Sequence, residues 1–266
     1  MITSVTNVKV KYVRRLQSDK RFRQREGAFV VEGTRWLQDV VASAKVKPQM
    51  LFFTAAWRST ADNNHILQQL SGEQQLVNEV VMTAMSDTET PQGVLAVLPQ
   101  QPLPLPPAPS LLLILDGVST PGNLGTILRT AAAAGADGVI LAPGSVDVYN
   151  PKTVRGSMGA HLRLPIHSLD WAEITRVVSG TAVWAAVVNE GVDYTAVSWP
   201  APSTLIIGSE AWGISKNSLQ LATGRLTIPM AAQTESLNAA MAAGVILFEA
   251  ARQRRASGQG SVVSNQ

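Results

Sequence analysis

Apolar residues in this chain recur as short runs of strand length, separated by segments in which they recur with helical spacing. Beyond residue 110 the runs are LLLILDG, GVILAP, LRLPIHS, AVWAAVV, STLIIGS and RLTIPM. Runs that are apolar at successive positions are typical of strands buried on both faces, and such strands form parallel sheets covered by helices. The pattern therefore predicts a mostly parallel α/β domain, with its ligand beyond the carboxyl ends of the strands.

The first hundred residues alternate in the same way. AFVVEG, MLFFTA, VVMTAMSD and GVLAVLP predict strands, whereas TRWLQDVVASA and NHILQQLSG predict helices, which together indicate a small α/β domain. The stretch PQQPLPLPPAP contains six of the fifteen prolines, and proline fixes φ and removes a backbone donor. We expect one domain at residues 1–98, an extended linker at 99–109, a second domain at 110–256 and a flexible tail at 257–266.

Composition excludes several kinds of site. The 266 residues are 45% hydrophobic, enough to bury a core, and the absence of cysteine excludes disulfides and thiolate metal sites. His65, His161 and His167 are scattered along the sequence, so we expect no metal site. The N-terminus lacks the apolar core of a signal peptide, and no apolar run approaches the ~20 residues that span a bilayer. We expect a cytoplasmic protein with no membrane partner.

Positive charge is concentrated near the N-terminus. The net charge is +3, but residues 1–35 hold nine bases against three acids. A concentrated basic segment suits a polyanion, because its phosphates release counterions on binding. The candidates for such contacts are Lys9, Lys11, Arg14, Arg15 and Arg21. A solvated helical face explains the same charges equally well.

Three segments place small and polar residues where a predicted strand meets a turn or a helix. They are DGVSTPGNLGTILRTA (116–131), LIIGSEAWGIS (205–215) and IPMAAQTESLNAAMAAGVILFE (228–249). In the first, Pro121 opens a helix on which Gly125 and Arg129, four residues apart, share one face. Taken alone, this segment is also explained as an ordinary packing helix with a surface arginine.

The other two segments have similar features. Gly208 ends a predicted strand where the backbone can approach a ligand, and Glu210 follows at the mouth of the expected cleft. Trp212 is either a lid or part of the core, and we expect it to be partly buried. Ser236 is predicted to cap a helix whose free N–H groups can face an anion. Each segment alone also fits an ordinary strand exit or a capped helix.

In this order and spacing the three segments resemble the signature motifs of the SpoU (TrmH-like) branch of the SPOUT RNA methyltransferases. The resemblance covers roughly residues 110–255. It implies an S-adenosylmethionine-dependent enzyme that methylates a ribose 2′-hydroxyl of rRNA or, less favoured, tRNA, and that forms a homodimer. It also implies a deep trefoil knot, a rare exception among protein folds. VKYVRRL, FVVEG and TPQGVLAV make the N-terminal half similar to the family's RNA substrate-binding domain, which is related to ribosomal protein L30e.

The resemblance also implies roles for individual residues. Gly208, Ile228 and Leu237 match positions that contact the cofactor. The positions that match catalytic residues are Asn123, Arg129, Glu210, Ser236 and Asn238. The family more often has SLNVSVA where this chain has SLNAAMA, so Ala240 lacks a hydroxyl. The segment 150–165 is similar to the family's middle region, without roles for its individual residues.

No histidine is placed to act as a base for this reaction. The family proposal gives that role to the arginine matched by Arg129, but a guanidinium normally stays charged. Clamping a phosphate and stabilising a developing alkoxide is the alternative role for Arg129. A catalytically silent RNA-binding protein of the same fold remains the alternative to an enzyme. A dehydrogenase-like nucleotide enzyme is disfavoured, because the sequence contains no GxGxxG fingerprint.

Overall fold

The computed structural model describes residues 1–231 and 236–258, and the chain forms two compact units. The first unit comprises Met1–Gln101 and Asp147–Leu162, and the second comprises Pro102–Val146 and the chain from Arg163 onwards. The sequence-based boundaries at 98/99 and 109/110 stay a prediction, and the inclusion of Asp147–Leu162 in the first unit has no counterpart among them. Most of the expected tail, residues 259–266, lies outside the described residues.

The helices are, in chain order, α1 (Val8–Ser18), α2 (Lys20–Glu26), α3 (Thr34–Ser43), α4 (Ala55–Arg58), α5 (Ala61–Gln69), α6 (Glu79–Met85), α7 (Pro121–Ala134), α8 (Pro151–Ser157), α9 (Trp171–Val177), α10 (Lys216–Leu221) and α11 (Ala239–Ala256). The strands are β1 (Ala28–Glu32), β2 (Met50–Thr54), β3 (Glu73–Val77), β4 (Val94–Pro99), β5 (Leu111–Asp116), β6 (Gly138–Leu141), β7 (Ile166–Ser168), β8 (Ala182–Ala186), β9 (Val192–Asp193), β10 (Ser203–Gly208) and β11 (Gly224–Thr227). Among the residues that the structure describes, no helix has both the length and the apolar character needed to cross a membrane.

The first unit is an α/β domain, as its sequence pattern predicts, and its sheet carries helices on both faces. The strand order is β1-β4-β2-β3, with β2 and β3 parallel and the other pairs antiparallel. Successive strand residues point to opposite faces. Phe29 and Val31 of β1 therefore pack in the core with α3 and α5, whereas Ala28 and Val30 pack in the core with α1 and α6.

The assignment of VVMTAMSD to a strand is wrong, because this segment forms α6. The Asn78 side chain caps the helix by accepting a hydrogen bond from Val81 N at 2.9 Å. Val81, Met82 and Met85 are buried at helical spacing. The strand of this region is β3, whose sequence EQQLV is too polar for the apolar pattern to identify, since β3 lies at the edge of the sheet.

The second unit confirms the prediction of a mostly parallel α/β domain. Within its described part, seven strands pair in the order β7-β6-β5-β10-β8-β11-β9, and all of these pairs are parallel. Strands β6 and β7 lie on one side of β5, and strands β8 to β11 lie on the other. Such a reversal opens a crevice at the carboxyl ends of the strands.

The last helix is anchored to the start of the sheet by one buried arginine. Arg254 of α11 donates to the backbone carbonyl of Trp199 at 2.9 Å, and to the hydroxyl of Ser110 at 2.7 Å and its backbone carbonyl. Ser110 is held in turn by Asp137, which accepts from its backbone N–H at 2.6 Å. These contacts fix α11 beside β5. The trefoil knot stays a prediction, since the chain leading into α11 includes residues 232–235, which lie outside the described residues.

His161 is buried in the first unit among aromatic rings. It lies beside Phe29, Trp36 and Tyr149, with ring centroids 5.7–6.1 Å apart. Its Nε2 lies 2.9 Å from the carbonyl oxygen of Val148, which only accepts, so Nε2 carries the proton. Burial lowers the pKa of His161 to about 4, against smaller opposing effects from Val148 and Asp147. The ring is therefore neutral near pH 7.

We expect the first unit to lose stability on mild acidification. Between pH 6.5, the ordinary pKa of histidine, and about 4, the pKa of His161 in the fold, the unfolded chain binds a proton that the folded chain does not. Stability is thus complete above pH 6.5 and falls by about 3 kcal/mol by pH 4. The measurement is native-state hydrogen exchange of amides in β1 and β4 across this range.

Glutamine does not titrate, so in His161→Gln the stability of the first unit should fall by about 3 kcal/mol less between pH 6.5 and pH 4 than in wild type. The exposed His65 is the control, and His65→Gln should keep the wild-type dependence. Equal pH dependence in wild type and His161→Gln would contradict the role of His161.

Candidate active site

A cleft of about 380 Å³ opens at the carboxyl ends of β8, β10 and β11. Val187 and Val188 follow β8, Gly208 ends β10 and Ile228 follows β11, and all four line the cleft. The opposite wall comes from residues 236–239 and from Ala242 and Ile246 of α11. The structure thus brings Gly208, Ile228 and Leu237, the three positions expected to contact a cofactor, into one cavity.

Three polar side chains from the three sequence segments meet at this cleft. Asn123 Nδ2 donates to Glu210 Oε1 at 2.8 Å, and Asn238 Nδ2 donates to Asn123 Oδ1 at 3.2 Å. Glu210 and Asn238 line the cleft directly. We call Glu210, Asn123 and Asn238 the polar cluster. Positions 115 residues apart in sequence are joined here by a single hydrogen bond.

The direction of each hydrogen bond in the polar cluster is fixed from both ends. Asn238 Oδ1 accepts from the backbone N–H groups of Ala240 at 2.9 Å and Met241 at 3.4 Å, which leaves its Nδ2 to face Asn123. At the other end Glu210, as a carboxylate, only accepts. Asn123 must therefore present its oxygen to Asn238 and its amide nitrogen to Glu210.

Glu210 is held in its charged form. Burial raises the pKa of its carboxyl, but the hydrogen bonds from Asn123, its own backbone, Ser119 and Thr120 together lower the pKa below its ordinary value. The backbone N–H of Ser119 donates to Oε2 at 3.3 Å. Glu210 thus acts as an acceptor that orients its neighbours. Sequence reasoning missed Ser119 and Thr120, although a Ser-Thr pair before a proline-led helix start is typical of a helix N-terminus.

The loop after β10 is closed by its own backbone. Ser209 N donates to Gly213 O at 2.9 Å, and Gly213 N donates to Ser209 O at 2.8 Å. A Cβ on Gly208 would lie 2.4 Å from the carbonyl carbon of Gly213. Glycine is therefore required at 208 by the loop, whereas the sequence suggested that it makes room for a ligand.

The expectation that Trp212 is partly buried is wrong. This loop carries its side chain into solvent, where it is 90% exposed. The reason is the length of the loop: the Ser209–Gly213 pairing leaves only Glu210, Ala211 and Trp212 at its tip, and none of the described residues covers the indole.

Asn238 caps α11, and the expectation that Ser236 does so is wrong. The helix begins at Ala239, and the Asn238 side chain accepts from its first N–H groups. Ser236 is exposed and lines the cleft two residues before the cap. Glu235, the neighbouring acid in this segment, lies outside the described residues.

Arg129 is not among the residues that line the cleft. It lies on the exposed side of α7, six residues beyond Asn123, which is roughly 9 Å along the helix axis. In the described part of the chain its guanidinium has no hydrogen-bond or ion-pair partner. The structure therefore brings four of the five expected catalytic side chains to the cleft, Asn123 through its partners, and places the fifth, Arg129, on the exposed side of α7.

The basic segment forms α1 and α2 of the first unit. Lys11, Arg14 and Arg15 line a concave surface together with Gln17 and residues 84–86. Arg21 is also exposed, whereas Lys9 is paired with Glu73.

Arg23, one of the nine bases that the sequence counts near the N-terminus, is buried. It donates to Asp147 at 2.7 Å and to the backbone carbonyl of Leu16 at 2.6 Å. It is thus a structural residue that charge counting could not separate from the exposed bases.

Among the side chains that the structure describes, no group of three or more histidine, cysteine, aspartate or glutamate residues could hold a metal ion. The polar cluster supplies one carboxylate and two amides, which suit the orientation of a ligand by hydrogen bonds.

The chain is similar to known proteins over almost its whole length. The model of the SpoU rRNA methylase family matches residues 110–248, and that of the MRM3-like substrate-binding domain matches residues 7–96. An uncharacterised tRNA/rRNA methyltransferase of Synechocystis is 37% identical, covering 96% of this chain and 95% of its own. The 23S rRNA (guanosine(2553)-2′-O)-methyltransferase RlmP of Bacillus subtilis is 32% identical, covering 93% and 97%.

A solved structure extends the likeness to three dimensions. The AdoMet-bound rRNA methyltransferase from Sinorhizobium meliloti superposes with a TM-score of 0.84 at 32% identity, covering 96% of this chain and 97% of its own. Its likeness spans both units described above. The chain belongs to the SpoU rRNA methylase family.

Proposed function

We propose that this protein transfers a methyl group from S-adenosylmethionine to a ribose 2′-hydroxyl of ribosomal RNA. The observation that carries the proposal is the polar cluster, which joins all three motif segments at the rim of one cleft. A bacterial relative and a mitochondrial relative are both named as rRNA methyltransferases. Ribosomal RNA is therefore favoured over tRNA as the substrate. A cytoplasmic location stays a prediction from the sequence.

The cleft fits the proposed cofactor. Its volume of about 380 Å³ lies within the range of ligand pockets, roughly 300–1,000 Å³. The apolar side chains of Leu226 and Ile246 suit the flat adenine, and the backbone at Gly208 and Ile228 offers hydrogen-bonding groups. We assign Gly208, Ile228 and Leu237 to cofactor contacts. When bound there, S-adenosylmethionine supplies an electrophilic methyl group attached to a sulfonium.

The side chains around the cleft position the ribose. The transfer would join the methyl carbon to the ribose oxygen as the C–S bond breaks, so that S-adenosylhomocysteine would leave and the hydroxyl proton would pass to solvent water. Asn123, Ser236 and Asn238 offer hydrogen bonds near the cleft mouth, while Glu210 fixes the orientation of Asn123. Positioning of this kind supplies up to ~7–11 kcal/mol in well-oriented reactions. The 2′-hydroxyl also makes the reaction selective for RNA over DNA.

We assign two roles to the guanidinium of Arg129: it clamps an RNA phosphate, and its positive charge stabilises the developing alkoxide. Its exposed guanidinium is unpaired within the described ranges and is thus available to RNA. A guanidinium binds phosphate through two parallel N–H donors and keeps its charge.

The protein is further proposed to act as a homodimer. The alanines of α11 at 239, 240, 243, 250 and 251 are buried within one protomer. The free face of this helix carries Met241 and Phe248, seven residues apart and 60% and 46% exposed. Two large apolar side chains on one helix face favour contact with a second copy.

Arg129→Ala should lower single-turnover methyl transfer to an unmodified 23S rRNA transcript by roughly 100- to 1,000-fold at saturating cofactor. Arg129→Lys keeps the charge but loses the planar fork, so it should recover little of the rate. Affinity for S-adenosylhomocysteine should stay at the wild-type value, because Arg129 does not line the cleft. The products are read by mapping 2′-O-methyl groups.

The control is Arg176→Ala, which removes an exposed arginine at the end of α9, where the chain returns to the amino ends of the strands. It should keep the wild-type rate. Wild-type protein that transfers no methyl to any RNA would refute the proposed function, and an unaffected Arg129→Ala would refute only the role of this residue.

Replacing Lys11, Arg14 and Arg15 by alanine should weaken RNA binding and flatten its dependence on salt. Each lost phosphate contact reduces the slope of log K against log salt by about 0.7–0.9. The matched control removes three exposed charges, Lys45, Lys47 and Arg58, which lie in or beside the helices of the other face of the first unit. Filter binding with the same transcript over a salt series measures the RNA affinity and its salt dependence for both triple variants. Equal slopes in the two triple variants would exclude the surface of α1 from RNA binding.

Wild-type protein should sediment as a dimer at micromolar concentration, and Phe248→Glu should sediment as a monomer, because it would bury a charge in the proposed interface. Leu219→Glu introduces the same charge at another exposed apolar position, on α10, and should leave the dimer intact. A monomeric wild type with full activity would rule out the dimer.

A further inference from the structure

Trp212 is the most exposed large apolar side chain in the described part of the molecule, with 90% of its surface in solvent. By contrast, Trp36, Trp57 and Trp199 are buried. The Trp212 indole makes no hydrogen bond, ring stack or cation–π contact with the described residues. An indole left in water is unusual, because aromatic side chains gain more than others from burial.

The backbone of the loop that carries Trp212 is constrained by hydrogen bonds and close packing. Two backbone hydrogen bonds, of 2.9 and 2.8 Å, join Ser209 to Gly213. Gly213 has a φ of +66°, which favours glycine, and Gly208 packs directly against its backbone. The next residues are held too, because Ser215 N donates to the buried Asp116 at 2.7 Å. A loop whose backbone is constrained before binding loses less entropy when a ligand arrives.

The loop lies at the mouth of the cleft, with Trp212 facing away from its interior. Ser209, Glu210 and Gly213 line the cleft, but Trp212 does not. A ligand confined to the cleft would therefore not meet the indole. A ligand that places one group at the polar cluster and continues across the surface would meet it.

The surroundings of the indole favour a nucleobase over a protein surface. Its sequence neighbours in the loop, Ser209, Glu210, Ala211 and Gly213, are small or polar and carry no large apolar side chain. The aromatic anchors of protein interfaces lie in well-packed, desolvated pockets, whereas Trp212 stands alone on a short loop. A nucleobase needs only the flat face of the ring, and single-stranded RNA stacks its bases on exposed aromatic side chains.

We propose that Trp212 is a stacking platform for an RNA base that flanks the methylated nucleotide. The inference rests on the proposed function and adds a substrate-positioning residue to it. Stacking holds the strand beside the cleft and so places the target ribose at the polar cluster. Because every base has a flat face, this contact positions the strand without choosing its sequence.

The test compares Trp212→Ala and Trp212→Phe with wild type, using the unmodified 23S rRNA transcript in single-turnover reactions. Trp212→Ala should raise the RNA concentration for half-maximal rate roughly 5- to 150-fold, the range expected for one lost stacking contact. The rate at saturating RNA should change little, because the chemistry lies at other residues. Trp212→Phe keeps an aromatic face and should restore most of the affinity. Leu219→Ala, at another exposed apolar position of the second unit, should behave as wild type.

A spectroscopic readout separates stacking from a loss of structure. Addition of the transcript should quench wild-type tryptophan fluorescence, and this quenching should disappear in Trp212→Phe while RNA affinity is kept. Affinity for S-adenosylhomocysteine and the sedimentation of the protein should be the same in all variants.

Three results would overturn the proposal: unchanged RNA affinity in Trp212→Ala, a loss of cofactor affinity in that variant, or its dissociation to monomers. The second would make Trp212 a lid on the cofactor, and the third would make it part of an interface between copies. If the wild type methylates the transcript and Trp212→Ala binds it equally well, only this inference fails. If the wild type shows no transfer, the proposed function fails, while RNA affinity and quenching still decide the stacking role.

Discussion

The candidate site depends on the one-way direction of the hydrogen bonds in the polar cluster. Each of the two asparagine amides has a donor end and an acceptor end, and the arrangement works only because α11 offers N–H groups at one side and Glu210 is a carboxylate at the other. These hydrogen bonds fix the positions of three elements relative to one another: the start of α7, the loop after β10 and the start of α11. A change at either end would remove the hydrogen bond that sets the orientation of Asn123.

The parallel sheet explains why this arrangement forms at all. All strands of the second unit described here run in the same direction, so their carboxyl ends meet at one edge. The cleft walls come largely from backbone at these ends, at Gly208, Thr227 and Ile228. Side chains contribute directed hydrogen bonds at the polar cluster. At Gly208 a larger side chain would collide with the backbone of the loop that follows β10.

Sequence patterns predicted the buried strands of both units, because a strand covered on both faces must be apolar at every position. They failed at the sheet edge, where β3 is polar, and at α6, whose cap at Asn78 was overlooked. The cleft residues were identified through the resemblance to a family, and no periodicity would have found them. Side-chain direction lay beyond both approaches: Arg23 and Arg21 are two residues apart and equally basic in sequence, yet one is buried against Asp147 and the other is exposed.

The segment Asp147–Leu162 links the evolution of the two units, because it belongs to the first unit but is encoded within the second. It lies between strands β6 and β7 of the second unit, yet Val154 and Leu162 pack in the core of the first and Asp147 neutralises Arg23 there. Neither unit is therefore a single uninterrupted stretch of gene. An exchange of the N-terminal part by recombination near the proline-rich stretch would deliver a first unit without part of its core and without the partner of its buried arginine. Matching changes would be needed some fifty residues downstream, inside the methylase segment. Such a chain is expected to evolve as one piece, with the two parts of the first unit changing together.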